Sequence, residues 1–420
     1  MTRPPRPTLV PLPKWRSLLR TRGRNGDPIA DLHNTLLVLR NEPGFAVSFA
    51  FDEMQQTTVV RAKPPLCGGA YAGEDYPRWA TDEDVSRLQE WMQMVMPKLS
   101  RENVFNALEE FARENPVHPL RLWLRTREIT VRQPVLDRWL SNALGVPNDA
   151  YHSEVGRRFI ISMVKRVLEP GCQCDYMIVL EGPQGELKSR FCRALAGDEY
   201  FSDHIPSLAA DHVRVSMHMR GKWLIEISEL AAFNKVADVE TLKAFITRRE
   251  EIYTPKYGRK ERREPRQCVL IGTTNTDDWI RDETGARRFW PVKVDHVDLA
   301  WLAEYRDQLF AEAVEAYDAG EPSYPDRNFE RRVIAPHQEK RQAFDNWTDR
   351  VLEIAHSLPI VTIALVWNGL GSVTHGGDLT KLDMVASKRI AAILKKDGHV
   401  RSRDSAGRIV WKKAEKPEPF

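Results

Sequence analysis

The stretch Leu180-Glu181-Gly182-Pro183-Gln184-Gly185-Glu186-Leu187-Lys188-Ser189 decides the fold. It follows a short apolar run at 176–180 and precedes a segment with helical spacing at 191–195. A strand, a glycine-containing loop and a helix in this order are typical of a phosphate-binding loop, where backbone N–H groups and the helix N-terminus hold the anion. One position departs from that pattern, because Leu187 stands where a glycine is expected.

The rest of the loop keeps the chemistry of a nucleotide site. We expect Lys188 to reach the β- and γ-phosphates and the Ser189 hydroxyl to bind Mg²⁺. Glycine is needed where the backbone takes a positive φ or approaches phosphate closely. We expect the Leu187 side chain to pack on protein, away from the phosphates. The nucleotide-binding residues predicted on this basis are Gly182, Pro183, Gln184, Gly185, Glu186, Leu187, Lys188 and Ser189.

Two further apolar runs, at 222–227 and 269–275, have the character of buried parallel strands. Helical patterns separate them from each other and from the run at 176–180. Strands that alternate with helices predict an α/β fold with a parallel sheet covered by helices on both faces.

Polar residues follow these runs in an order that suits phosphate chemistry. Glu226 and Glu229 lie at the end of the second run, where carboxylates could hold Mg²⁺ or orient the attacking water. Asn275 ends the third run and could sense the γ-phosphate. Arg287 and Arg288 follow on a predicted turn, and an arginine given to a neighbouring subunit's nucleotide would stabilise the transferred phosphate. Surface ion pairs are the alternative for these two arginines.

Between the second and third strands, residues 253–263 carry the densest positive charge in the chain, with tyrosines interleaved. Such a hairpin could hold single-stranded DNA by phosphate contacts and base stacking. A solvated basic loop is the alternative. The residues predicted to bind DNA are Lys256, Tyr257, Arg259, Lys260, Arg262 and Arg263.

Composition and periodicity divide the chain into four segments. These are a basic, proline-rich arm (1–27), a mostly helical region (28–150), the phosphate-loop domain (151–335) and a winged-helix-like region (340–415). In the second segment we predict helices that begin after Thr81 and Ser100. In the last segment, a helix at 382–394 and a two-stranded hairpin follow the order of a winged helix, which could bind DNA or serve a structural role.

The overall composition is that of a globular protein, with 42% apolar and 29% charged residues and a net charge of +3. The sequence predicts no signal peptide and no membrane-spanning segment. The five cysteines form no C-x-x-C pair, so the sequence predicts neither a zinc site nor a disulfide framework. We therefore expect a protein of the reducing cytoplasm, without a membrane partner.

The region from Leu180 to Val292 resembles the virulence-associated protein E-like family of phages and genomic islands, which is similar to superfamily 3 helicases within the AAA+ ATPases. The motifs that carry the resemblance lie at 180–189, 221–230, 243–248, 257–259, 272–275 and 282–291. Two departures stand out. Leu187 replaces the loop glycine, and Lys256-Tyr257 replaces a proline-containing run, which leaves the hairpin's role in DNA binding open.

The resemblance implies an AAA+-type P-loop ATPase that assembles as a homo-oligomeric ring, expected to be a hexamer, with ATP and Mg²⁺ bound between subunits. It assigns Lys188 and Ser189 to phosphate and Mg²⁺, Glu226 and Glu229 to an acidic pair, and Asn275 to a sensor. Arg287 or Arg288 would act in trans. We expect an ATP-dependent helicase or translocase on single-stranded or forked DNA, which replicates a mobile element in the cytoplasm of a bacterial host. The alternative is a non-hydrolysing, regulatory nucleotide- and DNA-binding protein, for origin binding or anti-phage sensing.

Overall fold

A computed structural model describes residues 14–24, 26–65, 75–126, 133–206, 212–228, 230, 236–255, 260–276, 279, 286–341, 347–371 and 382–413. The chain divides into two compact units, Met1–Arg341 and Gln342–Phe420. None of the described helices combines the length and the apolar character needed to cross a bilayer.

The first part of the first unit combines short strands with helices. It contains β1 (Thr21–Arg22), β2 (Asp27–Pro28), α1 (Leu32–Asn41), α2 (Phe45–Ser48), β3 (Phe49–Asp52), β4 (Thr57–Val60), β5 (Arg78–Trp79), α3 (Asp82–Gln93), α4 (Arg101–Glu114), β6 (Pro116–Val117) and α5 (Pro119–Thr126). Strands β5, β4, β3 and β6 form a four-stranded sheet that the sequence analysis did not predict.

Helices α3 and α4 begin where the sequence predicts. The Thr81 hydroxyl accepts from the Asp84 backbone N–H, and the Asp84 carboxylate accepts from the Thr81 N–H, which makes a capping box. The Ser100 hydroxyl accepts from the Asn103 N–H at the start of α4. These caps satisfy N–H groups that have no partner inside the helix.

The rest of the first unit alternates strands and helices around one sheet. It contains α6 (Trp139–Leu144), α7 (Ala150–Leu168), β7 (Met177–Glu181), α8 (Lys188–Ala196), β8 (Phe201–Ser202), α9 (His212–His218), β9 (Leu224–Ile227), α10 (Val236–Ile246), β10 (Glu250–Tyr253), β11 (Arg262–Pro265), β12 (Val269–Thr274), β13 (Phe289–Lys293), α11 (Leu299–Asp318), α12 (Arg327–Phe329) and α13 (Ala335–Glu339).

Five of these strands pair in the order β13-β7-β12-β9-β8, and every pairing is parallel. Strands β10 and β11 form a separate antiparallel hairpin. The mixed α/β fold with a parallel sheet is therefore confirmed. The carboxyl ends of the five strands lie at one edge of the sheet, and their amino ends lie at the other.

Alternation along β7 shows how the sheet is covered. Ile178 and Leu180 join a core cluster with residues of α7, α8 and α11, whereas Met177 and Val179 join a cluster with residues of α9 and α10. Successive strand side chains point to opposite faces, so the two clusters lie on opposite faces of the sheet. Burial on both faces explains why the run from Met177 to Leu180 is apolar without alternation, as the sequence predicts.

The second unit contains α14 (Thr348–Ser357), α15 (Ile363–Gly369), α16 (Met384–Lys396), β14 (His399–Arg403) and β15 (Ile409–Lys413). The two strands form an antiparallel hairpin directly after α16, so the predicted helix and hairpin are present. A separate apolar cluster that includes Trp367, Ile390 and Trp411 holds this unit together.

Candidate active site

The loop at 182–187 joins β7 to α8. It begins inside the sheet, because β7 lies between β13 and β12, and Gly182 N–H donates to the Thr274 carbonyl at 3.2 Å. Gly185 has φ +93°, which an L-residue rarely adopts. Helix α8 then begins at Lys188. The first N–H groups of a helix lack intrahelical partners and carry a positive partial charge, so the geometry of the loop suits an anion.

Leu187 takes a left-handed backbone conformation that glycine adopts far more readily than leucine. Its φ is +56° and its ψ is +14°, in the left-handed region, at the N-cap of α8. That conformation costs an L-residue about 1–2 kcal/mol. The prediction that its side chain packs on protein is wrong, because Leu187 is 40% exposed and lines the cleft beside the loop. The turn is fixed by the strand and helix on either side, and the side chain is left at the surface.

Lys188 is buried at the start of α8, with its ammonium held over the loop. Its Nζ donates to the carbonyls of Gly182 at 2.6 Å and Pro183 at 2.7 Å. Burial lowers the pKa of Lys188, and the nearby carboxylates of Glu186 and Glu226 oppose that shift. The loop therefore centres on a partly desolvated cation.

Glu226 lies in β9 and is 1% exposed. Its Oε1 accepts from Ser189 Oγ and from Thr273 Oγ1, each at 2.7 Å. Its Oε2 is buried and has no partner among the described residues. Because a buried carboxylate oxygen without a partner is costly, this atom marks a place for a cation or water.

Glu226 and Ser189 carry side-chain oxygens of the kind that Mg²⁺ prefers. Mg²⁺ prefers oxygen ligands and is usually bound through one or two protein groups together with phosphate and water. The orphaned Glu226 Oε2 and the adjacent Ser189 hydroxyl meet this description. The described residues hold no group of three or more acidic, histidine or cysteine side chains suited to a metal.

A cleft of about 320 Å³ brings most of the predicted residues together. Asn275 is exposed and follows β12 directly, at the carboxyl edge of the sheet. The cleft is lined by Gln184, Gly185, Glu186, Leu187, Lys188, Ser189, Arg190, Glu226, Ser228, Thr273, Thr274 and Asn275. Predicted Glu229 lies outside the described residues.

Thr273 was not predicted to belong to the site, although its hydroxyl helps to fix Glu226. Two threonines at the end of an otherwise apolar strand were the available signal.

The environment of Glu181, which is 1% exposed at the end of β7, was not predicted either. Its carboxylate accepts from the Trp279 indole at 2.8 Å and from Arg341 Nη2 at 2.9 Å. The residue before the loop is thus held from two distant parts of the chain.

Arg287 and Arg288 lie at the opposite edge of the sheet. They immediately precede β13, whose first residue, Phe289, pairs with Met177 at the start of β7. The phosphate loop follows the other end of β7, so the length of a five-residue strand, about 13 Å, separates the two sites. Both arginines line a second cleft of about 790 Å³, in which Arg288 Nε is buried without a partner among the described groups.

The basic segment is only partly described. Lys256, Tyr257 and Arg259 lie outside the described residues, whereas Lys260, Arg262 and Arg263 are exposed. The latter two are in β11, which pairs with β10. Between the paired strands the Tyr253 hydroxyl donates to Glu264 Oε1 at 3.0 Å, and Arg220 Nε donates to Glu264 Oε2 at 2.9 Å. The two strands are therefore fixed to each other and to Arg220, with exposed basic side chains on β11.

Comparison with known proteins identifies one family. The model of the virulence-associated protein E-like domain matches residues 126–343, more than half of the chain. Curated protein sequences give no significant match.

Three solved structures are similar at low identity. The apo structure of NrS-1 C terminal region (305-718) has a TM-score of 0.47 and 13% identity, with 91% of this chain and 99% of that chain covered. An A form of the same region gives 0.45 and 13%, with 91% and 98% covered. Another A form gives 0.44 and 12%, with 86% and 95% covered. These values are too low to carry an argument.

The left-handed backbone at Leu187 predicts which substitutions the loop accepts. Leu187→Gly should change the free energy of unfolding by less than about 1 kcal/mol, because relief of the backbone offsets the entropy of glycine. Leu187→Val should lower it by about 1–2 kcal/mol, because a β-branched residue tolerates positive φ worst. Urea unfolding measures both. Leu122→Val, at a 64% exposed helical position, is the control. Equal stability of the glycine and valine variants would contradict a left-handed Leu187.

Proposed function

We propose that this chain, which belongs to the virulence-associated protein E-like family, is an ATP-dependent DNA helicase or translocase. In this proposal it is an AAA+-type P-loop ATPase that forms a homo-oligomeric ring, expected to be a hexamer. It would act on single-stranded or forked DNA during replication of a phage or a phage-like mobile element, in the cytoplasm of the host.

One observation carries the proposal. The cleft at the carboxyl edge of the sheet gathers a lysine, a hydroxyl, a buried carboxylate and an amide, although they come from three separate strand ends. Ligands of open parallel sheets bind at this edge. The same four groups are those that phosphoryl transfer uses to neutralise charge and to orient water.

Each residue has a role that its environment supports. Lys188, already desolvated, would place its charge on the terminal phosphates. Ser189 and Glu226 would hold Mg²⁺, which supplies charge neutralisation when it is bound with ATP. Asn275, exposed in the cleft, would orient the attacking water beside the γ-phosphate. Glu226 would remain the fixed point of this arrangement, because Thr273 holds it from the neighbouring strand.

The position of Arg287 and Arg288 supports assembly. Because a whole strand separates them from the phosphate loop of their own subunit, they cannot contact its nucleotide without refolding. They line an open cleft, and no carboxylate of the described residues forms an ion pair with either arginine. A second copy of the chain that presents its phosphate loop to this cleft would receive an arginine in trans. The proposed active site is therefore complete only between subunits.

The hairpin supports a role on DNA. Lys260, Arg262 and Arg263 are exposed along one segment, and phosphate contacts of this kind dominate affinity for nucleic acids. The hairpin leads directly into β12, the strand that carries Asn275 at its far end. Movement at the γ-phosphate end of β12 would thus be connected to the DNA-contacting segment by one continuous strand. The second unit, with its helix and hairpin, would add a winged-helix-like DNA contact.

A second candidate is a regulatory protein that binds nucleotide and DNA without turnover. The observation that favours it is the strained Leu187 in place of the loop glycine, next to a lysine already bonded to loop carbonyls. Binding of ATP with no hydrolysis, in the presence of single-stranded or forked DNA, would identify this candidate.

Substitution of the loop lysine tests the site. Lys188→Ala should lower ATP hydrolysis by about 10²–10³-fold, because the charge at the terminal phosphates is lost. Glu226→Gln should lower kcat by a similar factor with less effect on ATP binding, because the amide keeps the shape but not the charge. Phosphate release measured with and without DNA, together with nucleotide titration, separates the two effects. Lys98→Ala, at an exposed position, is the matched control. Undiminished hydrolysis by Lys188→Ala would refute the site assignment.

Mixing of variants tests the arginines. Arg287→Ala/Arg288→Ala and Lys188→Ala proteins should each be inactive alone. Assembled together in equal amounts, they should recover about a quarter of the wild-type rate, because that share of interfaces joins an intact loop to intact arginines. Arg61→Ala, an exposed arginine of the first part of the chain, serves as the control for charge loss. A mixture no more active than its components would argue against action in trans.

Removal of hairpin charge tests the DNA contact. Arg262→Ala/Arg263→Ala should weaken binding of single-stranded DNA and reduce the dependence of log Kd on log salt by about 2, one for each lost phosphate contact. Fluorescence anisotropy over a series of salt concentrations measures both quantities. Arg61→Ala again provides the comparison. An unchanged salt slope would show that these arginines do not contact phosphate.

A further inference from the structure

Arg166 is a buried cation without a counter-charge among the described residues. It lies in α7 and is 1% exposed. Its Nη2 donates to the Arg248 carbonyl at 3.4 Å, whereas Nε and Nη1 are buried with no partner. A guanidinium stays protonated in proteins, so it cannot avoid the cost of burial by losing its charge. Burial of an uncompensated charge costs several kcal/mol, which calls for a partner that the described residues do not supply.

A second buried arginine adds to this excess. Arg266, 3% exposed, donates through Nε to Glu251 Oε1 at 2.6 Å and through Nη1 to the Phe245 carbonyl, but its Nη2 is buried without a partner. Glu251 also accepts from Arg248 Nη1 at 3.1 Å and from Ser216 Oγ at 2.7 Å. Burial lowers the pKa of Arg266, and the charge of Arg166 lowers it further. Among the described residues, one carboxylate therefore pairs with two arginines, Arg248 and Arg266, and leaves Arg166 without an ion pair.

A small cavity lies where the two arginines meet. Its volume is about 10 Å³, room for one water-sized species. Besides Arg166 and Arg266, its lining includes Cys174, Tyr176, Ile246 and Cys268. Burial raises the pKa of the Cys268 thiol, so this sulfur remains protonated and adds no negative charge. The charged groups that face the cavity are both cations with unused N–H donors.

We propose that this cavity binds one chloride ion between the guanidinium groups of Arg166 and Arg266. A chloride supplies the missing negative charge and accepts from every free N–H without presenting a proton of its own. A water molecule would leave the charge uncompensated, and a phosphate or sulfate is too large for the volume.

The ion has a route to the cavity and a structural consequence. Cys174 and Tyr176 line both this cavity and the larger cleft that carries Arg287 and Arg288, whose positive charges would draw anions inward. Arg266 directly follows β11, and its carbonyl accepts from Gly171 N–H at 2.8 Å. A chloride bound to Arg166 would thus fasten the base of the basic hairpin to α7.

Halide dependence of the full chain tests the proposal. At constant ionic strength, replacement of gluconate by chloride should raise the Tm by about 2–4 °C. Arg166→Met should abolish that rise and should be the more stable protein in gluconate, because it removes the buried charge. Arg101→Met, an exposed arginine paired with Asp82, should retain the rise. A Tm that does not respond specifically to chloride would overturn the proposal.

Crystals grown in bromide provide a measurement that does not depend on any variant. An anomalous peak between Arg166 and Arg266 would support the site, and density without anomalous signal there would identify a water instead and refute it. Neither experiment involves ATP or DNA, so the chloride site can fail while the proposed ATPase stands, and the reverse also holds.

Discussion

The parallel alignment of five strands is the constraint on which the rest of the molecule depends. Since β7, β12 and β9 all run in one direction, the residues that end them are brought to a single edge, although more than forty positions separate each from the next along the chain. The same alignment sends the residues before β13 and after the basic hairpin to the opposite edge. The polar groups of this domain therefore form two sets, one at the carboxyl ends of the strands and one at the amino ends. Within one chain the two sets lie too far apart to contact each other.

Much of this arrangement could be predicted from local signals. The strand β7 could be predicted because the residues from Met177 to Leu180 face apolar clusters on both sides of the sheet and are therefore apolar in sequence. The caps at Thr81 and Ser100 could be predicted because a hydroxyl and the N–H three residues later satisfy each other without help from elsewhere. The cleft residues could be predicted from the same strands. Glu226 lies within β9, Asn275 follows β12 directly, and Lys188 begins the helix after β7.

What escaped prediction depends on contacts that are distant in sequence. Glu181 is held by Arg341, a partner 160 positions away, and no periodicity links the two. Thr273 was overlooked because its hydroxyl acts on a carboxylate of the neighbouring strand. Leu187 was misjudged for a different reason. Its side chain was expected to pack on protein, but the turn from β7 into α8 fixes its backbone and leaves the side chain at the surface.

The two carbonyls that hold the Lys188 ammonium have a consequence for its third N–H. An ammonium has three donors, and the carbonyls of Gly182 and Pro183 accept two of them, at 2.6 and 2.7 Å. The third donor can therefore bond an incoming anion while the loop still holds the amine in place. Because a hydrogen bond between two charged groups is stronger than one to a neutral acceptor, this fixed cation favours a negatively charged oxygen over a neutral one.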